Sequence, residues 1–313
     1  MDQSASSSVP LVVDVDGTLL ATDTLFESFW CGLGNAPIAT LGAVLFGLPK
    51  RASLKTKLAD VVLPDIASLP LRSTVLAQIK AAQADGRMVV LASGADQRIV
   101  DALATRLGLE GNHYGTSPGV NLTGDRKAAR LVERFGEGGF DYIGDSAADL
   151  SIWAVARQGY VIEPTGRLRA AIAAKGLKPK PIPVDNRPYG LVRAMRPQQW
   201  VKNLLLLLPL LAAHRFDVAT LGAVLLGIVA FSAAASSIYI INDLLDLSAD
   251  RQHSQKRFRP FAAGDSSILS GMALSLGLSA GALGLAGFIG WQLVGLIAVY
   301  MLLSLAYSLH LKR

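Results

Sequence analysis

At 313 residues the chain is long enough for two domains, and it carries a net charge of +6 with 51% apolar residues. Its aromatics do not interleave with its basic residues as a stacking surface would, which sets nucleic acid aside as a partner. The single cysteine, Cys31, excludes an intrachain disulfide and a thiolate metal cluster, and the polar start over residues 1–8 lacks the basic and apolar regions of a signal peptide.

The halves differ. Up to about Val184 the sequence is mixed; beyond it the chain is very apolar, with charge gathered into short clusters. Leu11-Val-Val13 reads as a buried strand that runs straight into two carboxylates, Asp14 and Asp16, before Gly17 and Thr18 turn the chain. Buried acids at a strand end are costly unless they bind a metal or react, and in an open α/β sheet ligands gather at the carboxyl ends of strands. The bland alternative is a polar strand exit followed by a turn. Residues 21–71 then interrupt the alternation of strand and helix. Within them, 24–30 carries an apolar helical face, and 38–48, bounded by Pro37 and Pro49, is too short to span a bilayer. The expectation there is a buried or cap helix, in an insertion placed to act as a lid.

The rhythm resumes with a helix over 71–84, a strand over 88–92 followed by Ser93 and Gly94, and a helix bearing Ile99, Val100, Leu103 and Leu107. A third strand over 140–143 ends in Gly144-Asp-Ser-Ala-Ala-Asp149, and a fourth covers 160–162. Strands separated by helices imply a parallel sheet with right-handed crossovers. Asp14 and Asp16, Ser93, and the pair Asp145 and Asp149 would then meet at one rim, with Lys127 opening a helix nearby. Carboxylates from two strands suit Mg²⁺, and a hydroxyl and a lysine suit the remaining phosphate oxygens. Taken singly, each has a plainer reading: Ser93 as a turn hydroxyl, Lys127 as a solvated helix charge, Asp145 and Asp149 as helix caps.

These four motifs, D-V-D-G-T, Ser93, Lys127 and G-D-S-A-A-D, stand in the order found in the haloacid dehalogenase-like phosphotransferases, which residues 9–176 resemble. The resemblance implies a Rossmann-like α/β domain over 1–176 with a helical cap at about 21–71. It implies that Asp14 attacks phosphorus, that Asp16 serves as acid and then base, and that Ser93 and Lys127 hold the phosphoryl oxygens. Mg²⁺ would be bound by Asp14, the Asp16 carbonyl and Asp145, with Asp149 in support.

Residues 177–196 read as a basic, proline-rich linker. Residues 197–313 read as an all-α transmembrane domain of four spans: a short one from Leu204, kinked by Pro209 and ending near Ala213, then 218–241, 268–290 and 291–309. Gly and Ala in the third would let helices pack closely. Positive charge in the linker, after the second span and at Lys312-Arg313, against only His214, Arg215 and Asp217 after the first, places the N-terminal domain in the cytoplasm and the spans in the inner membrane. At the end of the second span come Asn242, Asp243, Asp246 and Asp250; on one continuous helix the three acids would share a face and chelate Mg²⁺ on a polyphosphate. A solvated loop of mixed charge is the plainer alternative.

N-D-L-L-D-L-S-A-D resembles the first acidic motif of the UbiA-type prenyltransferases. Two further stretches, M-R-P-Q-Q-W-V-K-N and K-R-F-R-P-F-A-A-G, look more like the branch that joins a polyprenyl phosphate to phosphoribosyl diphosphate than like one that alkylates an aromatic ring. By that resemblance Asp243, Asp246 and Asp250 would hold Mg²⁺ on a diphosphate, with Lys202, Asn203, Asn242, Lys256, Arg257 and Arg259 as candidate phosphate contacts. The family has about nine spans and a second acidic motif. The expectation is therefore a fragment, or a transferase half incomplete by itself. The leading reading is a membrane-tethered, Mg²⁺-dependent phosphatase fused to a polyprenyl-phosphate transferase. The alternatives are a phosphatase merely anchored by its membrane half, and a non-catalytic sensor of a phosphorylated lipid head group.

Overall fold

The computed structural model describes residues 9–47, 51–184, 187–214 and 216–311, in two compact units divided after residue 186. The charges at Arg215 and Lys312-Arg313, like the polar start, lie outside the described residues.

In the first unit β1 (Leu11–Val13) leads through the tight loop Val15–Leu19 into three helices, α1 (Thr24–Asn35), α2 (Pro37–Gly47) and α3 (Arg51–Val61). Then follow α4 (Ser73–Ala84), β2 (Val89–Asp96), α5 (Gln97–Arg106), β3 (Tyr114–Thr116), α6 (Asp125–Phe135), β4 (Asp141–Gly144), α7 (Leu150–Val155), β5 (Gln158–Ile162), α8 (Gly166–Ala174) and β6 (Lys180–Ile182). The strands form one parallel sheet in the order β3-β2-β1-β4-β5-β6. Alternate residues of each strand face opposite sides. Leu11, Val13, Val89, Leu91 and Ile143 therefore enter one core with α4 and α5, while Val12, Val90, Phe140 and Tyr142 enter the other with α6, α7 and α8. Burial on both faces explains why these strands read as unbroken apolar runs.

Two strands escape the sequence pattern. β3 is short and only partly buried, so Tyr114-Gly-Thr116 carries no apolar signal. β6 lies inside the stretch expected to be linker: Lys180-Pro-Ile182 pairs with β5 as the outer strand. Pro181 is tolerated there because an edge strand has one side free of partners. Asp141, 1% exposed, is clamped by Arg87 at 2.5 Å and by Arg157 at 2.7 Å, a structural ion pair at the amino end of the sheet.

The second unit begins with α9 (Gly190–Ala194), continues through an irregular helical segment, Pro197–Leu207, and reaches α10 (Leu208–Ala212), α11 (Val218–Leu245), α12 (Leu247–Gln252), α13 (Ile268–Ile289) and α14 (Trp291–Ala306). Three helices among the described residues are long and apolar enough to cross a membrane: Val218–Leu245, Ile268–Ile289 and Trp291–Leu309. The expected first span is not one of them. Its apolar residues are divided between the irregular segment and five residues of α10, where Pro209 takes a place in the first turn. Ala230 and Ala234 of α11 pack on Ala282 and Ala286 of α13 and on Ile297 of α14. Ser237 hydrogen-bonds Ser275 at 2.9 Å and Ser279 at 2.6 Å across the same contact. Small side chains bring the backbones together, as apolar surroundings require.

Candidate functional site

β1 lies at the centre of the first unit's sheet, with Val13 in register with Leu91 of β2 and Ile143 of β4. Asp14 continues this line, donating its N–H to the Ile143 carbonyl at 3.0 Å. Chain order reverses across this strand, so its carboxyl end is where a ligand crevice opens. Gly17, at φ +73, lets the following loop turn back at once; a Cβ there would strike the Asp145 carboxylate. The loop closes with Gly17 N–H on the Thr22 carbonyl at 3.0 Å, and Thr18 Oγ1 donates to Asp145 Oδ1 at 3.2 Å. In this way one turn brings together groups from β1 and β4.

Lys127, in the first turn of α6, is 3% exposed. Its Nζ stands 3.0 Å from Asp14 Oδ1 and 3.3 Å from Asp149 Oδ1, and lies 5.3 Å from the centre of the Tyr142 ring. Burial works against its ammonium, but Asp14 and Asp149 outweigh that and hold it above the usual lysine range. Asp149 is fully engaged. Its Oδ1 accepts from Tyr142 Oη at 2.6 Å, and its Oδ2 accepts from the N–H groups of Asp145 and Ser146 and from Ser146 Oγ, at 3.0–3.1 Å. It therefore orients the loop after β4 and steadies Lys127.

Burial pushes the Asp14 carboxyl up to about 6, with Lys127 opposing and Asp149 and Asp16 adding to the rise. Burial, then Asp14 and Asp149, push Asp145 up to about 8. Asp16 is also raised to about 6 by burial and by Asp23, against the pull of Lys55. Its Oδ1 accepts the Thr24 N–H at 2.8 Å, at the start of α1. Ser93 is not beyond its strand but within it, since β2 runs on to Asp96; it is fully buried, and its Oγ accepts the Ala95 N–H at 3.0 Å.

The chemistry of this donor set fits a hard divalent cation. Oxygens of Asp14, Asp145 and Asp149 lie within 4.8 Å of one another, and among the described residues Lys127 is the ammonium paired with Asp14 and Asp149. Asp14 Oδ1 is buried and accepts no well-aligned hydrogen bond, although Lys127 Nζ is within ion-pair distance. Excess buried negative charge with an unsatisfied oxygen is the environment Mg²⁺ relieves.

Two cations here gave no signal in the sequence. Lys55 of α3 reaches the Gly94 carbonyl at 2.5 Å, and Arg72, just before α4, donates Nε to the Gly17 carbonyl at 3.1 Å while its Nη1 has no partner. Neither sits in a motif; only the fold of the insertion returns them to the strand ends.

In the second unit the acidic run is arranged differently from the expectation of one helical face. α11 ends at Leu245, and Asp246 is the junction to α12, so the three acids do not share a continuous helix. Asp243 is paired with Arg196 and, at 3.1 Å, with Arg259; Arg259 also holds Asp250 at 2.8 Å. Burial raises the Asp250 carboxyl, Arg259 opposes the rise, and Asp246 nearby adds to it. Arg193, Arg196, Asp243, Phe258 and Arg259 line a cavity of about 560 Å³. In the sequence Arg193 reads as linker charge and Arg196 falls within M-R-P-Q-Q-W-V-K-N, and neither is among the candidate phosphate contacts. Lys202, Lys256 and Arg257 are exposed and are not part of that lining. Asn203 donates to Ser232 Oγ at 2.8 Å, and Asn242 accepts from Ser308 Oγ at 2.5 Å, so both are engaged in helix packing.

Comparison with known proteins adds to the second unit. Residues 204–313 match the UbiA prenyltransferase family. An uncharacterized protein of Sinorhizobium fredii, y4nM, is 36% identical over 310 residues, covering 97% of this chain and 60% of that protein. The decaprenyl-phosphate phosphoribosyltransferase of Mycobacterium tuberculosis is 42% identical over 140 residues, or 42% of this chain and 45% of that enzyme. The chain thus spans roughly half the length of the curated relatives it matches. Solved structures overlay the first unit loosely: a HAD family hydrolase of Salmonella enterica serovar Typhi covers 52% of this chain and 66% of its own at a TM-score of 0.37 and 16% identity. An overlay so loose adds nothing to the sheet order and side-chain geometry above. Over residues 204–313 the chain is similar to the UbiA prenyltransferase family, and that stretch lies downstream of a parallel α/β domain with an acidic site at the end of its central strand.

Proposed function

We propose that the first unit is a Mg²⁺-dependent phosphohydrolase of the haloacid dehalogenase type, working through an aspartyl-phosphate on Asp14. The observation that carries this reading is the buried Lys127, held at once by Asp14 and Asp149 at the end of the central strand. In the first step an Asp14 carboxylate oxygen attacks phosphorus, the ester P–O bond breaks, and Asp16 gives its proton to the leaving oxygen. In the second, Asp16 takes a proton from water, the hydroxide attacks phosphorus, and the bond to Asp14 breaks to release phosphate. A carboxyl held near 6 can serve in both directions around neutral pH. Lys127 and Ser93 would neutralise and orient the phosphoryl oxygens. Mg²⁺, held by Asp14, the Asp16 carbonyl and Asp145, would supply charge neutralisation to the phosphoryl group.

For the second unit the reading is a polyprenyl-phosphate transferase half, with its chemistry on the phosphate end of the lipid. It is supported by the family match and the decaprenyl-phosphate phosphoribosyltransferase relatives. The arginine-lined cavity suits an anion, and an apolar groove of about 440 Å³ between Trp200, Leu204, Val229 and Leu278 suits an acyl or prenyl chain. The reading places the whole in the inner membrane with the first unit in the cytoplasm. The test is phosphate release from p-nitrophenyl phosphate by the purified chain with Mg²⁺ and with chelator, beside Asp14→Asn. Mg²⁺-dependent turnover lost in the variant is expected; equal turnover in both proteins refutes the assignment.

A further inference from the structure

α2 is built inside out for a helix in water. No residue of Pro37–Gly47 is charged, and the large side chains point outward: Ile38 is 86% exposed, Leu45 68% and Phe46 71%, with Leu41 beside them. Sequence patterning predicts that this helix is buried or caps the site; among the described residues of the first unit, nothing covers its bulky face. The face it does bury is made of Thr40, Ala43 and Gly47. These contacts are close. A Cβ on Gly32 of α1 would come within 2.6 Å of Thr40 Oγ1, and one on Gly47 within 2.8 Å of Leu54 Cα. Small residues inward and large apolar residues outward is the pattern of helices packed in lipid.

Three observations name the occupant. The chain carries three helices able to cross a membrane, so a bilayer attends it in any case. The apolar face has a basic rim in Lys57, whose Nζ donates to the Phe46 carbonyl at 3.2 Å and lies 5.7 Å from the centre of its ring. Length completes the argument. Eleven residues of helix extend about 16 Å, half of the roughly 30 Å hydrocarbon core, so α2 is suited to lie in the interface and not to span it.

We propose that α2 is a membrane-interface anchor, seated among the acyl chains of anionic phospholipid with its lysine rim at the head groups. The helical insertion is then a lipid-docking element, and the first unit meets the bilayer through it, independently of the chemistry at Asp14. The test uses the full chain in vesicles, with Cys31→Ser and a fluorophore at Leu41→Cys, Leu45→Cys or, as an exposed site elsewhere in the same unit, Glu137→Cys. Expected is a blue shift at positions 41 and 45 and stronger quenching by doxyl-labelled lipid than by iodide, with the opposite order at 137. The lipid quenching should deepen when phosphatidylglycerol is added to phosphatidylcholine. Iodide access at 41 and 45 equal to that at 137 overturns the proposal. So does shielding from both quenchers, which means contact with the chain's own membrane half, or, where Leu45→Cys also cross-links between chains, with a second copy.

Discussion

Replacing Lys127 by Met tests the electrostatics of the strand-end site without opening a large cavity, because the thioether nearly fills the aliphatic volume. The lysine side chain is 4% exposed, and its partners Asp14 and Asp149 are 10% and 1% exposed. Removing one member of a buried ion pair leaves charge without compensation, at a cost of about 3–5 kcal/mol. Both carboxylates lose the same cation, so the upper half of that range is expected above pH 7. Below pH 6 the cost shrinks, because Asp14, already raised to about 6, takes up a proton instead. At about 2–4 °C per kcal/mol for a unit of this size, the loss above pH 7 corresponds to about 8–20 °C in Tm. The assay is thermal and urea unfolding of residues 1–186, which enclose the sheet and both its cores, in chelator at pH 5.5 and pH 8. A variant within about 1 kcal/mol of wild type at both pH values would refute the idea that Lys127 neutralises this cluster.

Three further outcomes follow from named contacts. Asp14, Asp16 and Asp145 have folded-state pKa values above the carboxylate value of 3.8, so the folded protein holds more protons than the unfolded one. Metal-free stability should therefore fall as pH rises from about 4 to about 8, and Mg²⁺ should raise Tm more at pH 8 than at pH 5; a flat calorimetric profile contradicts this. Gly17→Ala places a Cβ against the Asp145 carboxylate at a φ of +73, and should weaken Mg²⁺ affinity by about tenfold or more in a titration, while unchanged affinity removes the loop from the site. Arg259→Met strips Asp250 of its ion pair and Asp243 of one of two, and should lower the detergent-solubilised chain's thermal midpoint by an amount matching about 2–4 kcal/mol; no shift would mean the pairs are not formed.

The sequence by itself determined the strand that ends in Asp14-Val-Asp16, the order of the four motifs, the helical insertion and the three helices long and apolar enough to cross a membrane. Each depends on local periodicity or on residues adjacent in the chain, which a linear reading can register. It could not register what depends on neighbours distant in sequence. β6 is a strand only because β5 offers an open edge; alone, Lys180-Pro-Ile182 has the composition of a linker. Arg193 and Arg196 looked like flanking charge until the chain carried them to Asp265 and Asp243. The acids after α11 were spaced for one helical face, but the helix breaks at Asp246 and arginines take two of them. In α2 the composition announced burial, whereas tertiary packing chose its small face for the interior and left the large one outside. Hydrophobicity states that a surface avoids water; only the packed structure decides which surface meets protein and which is left for another apolar phase.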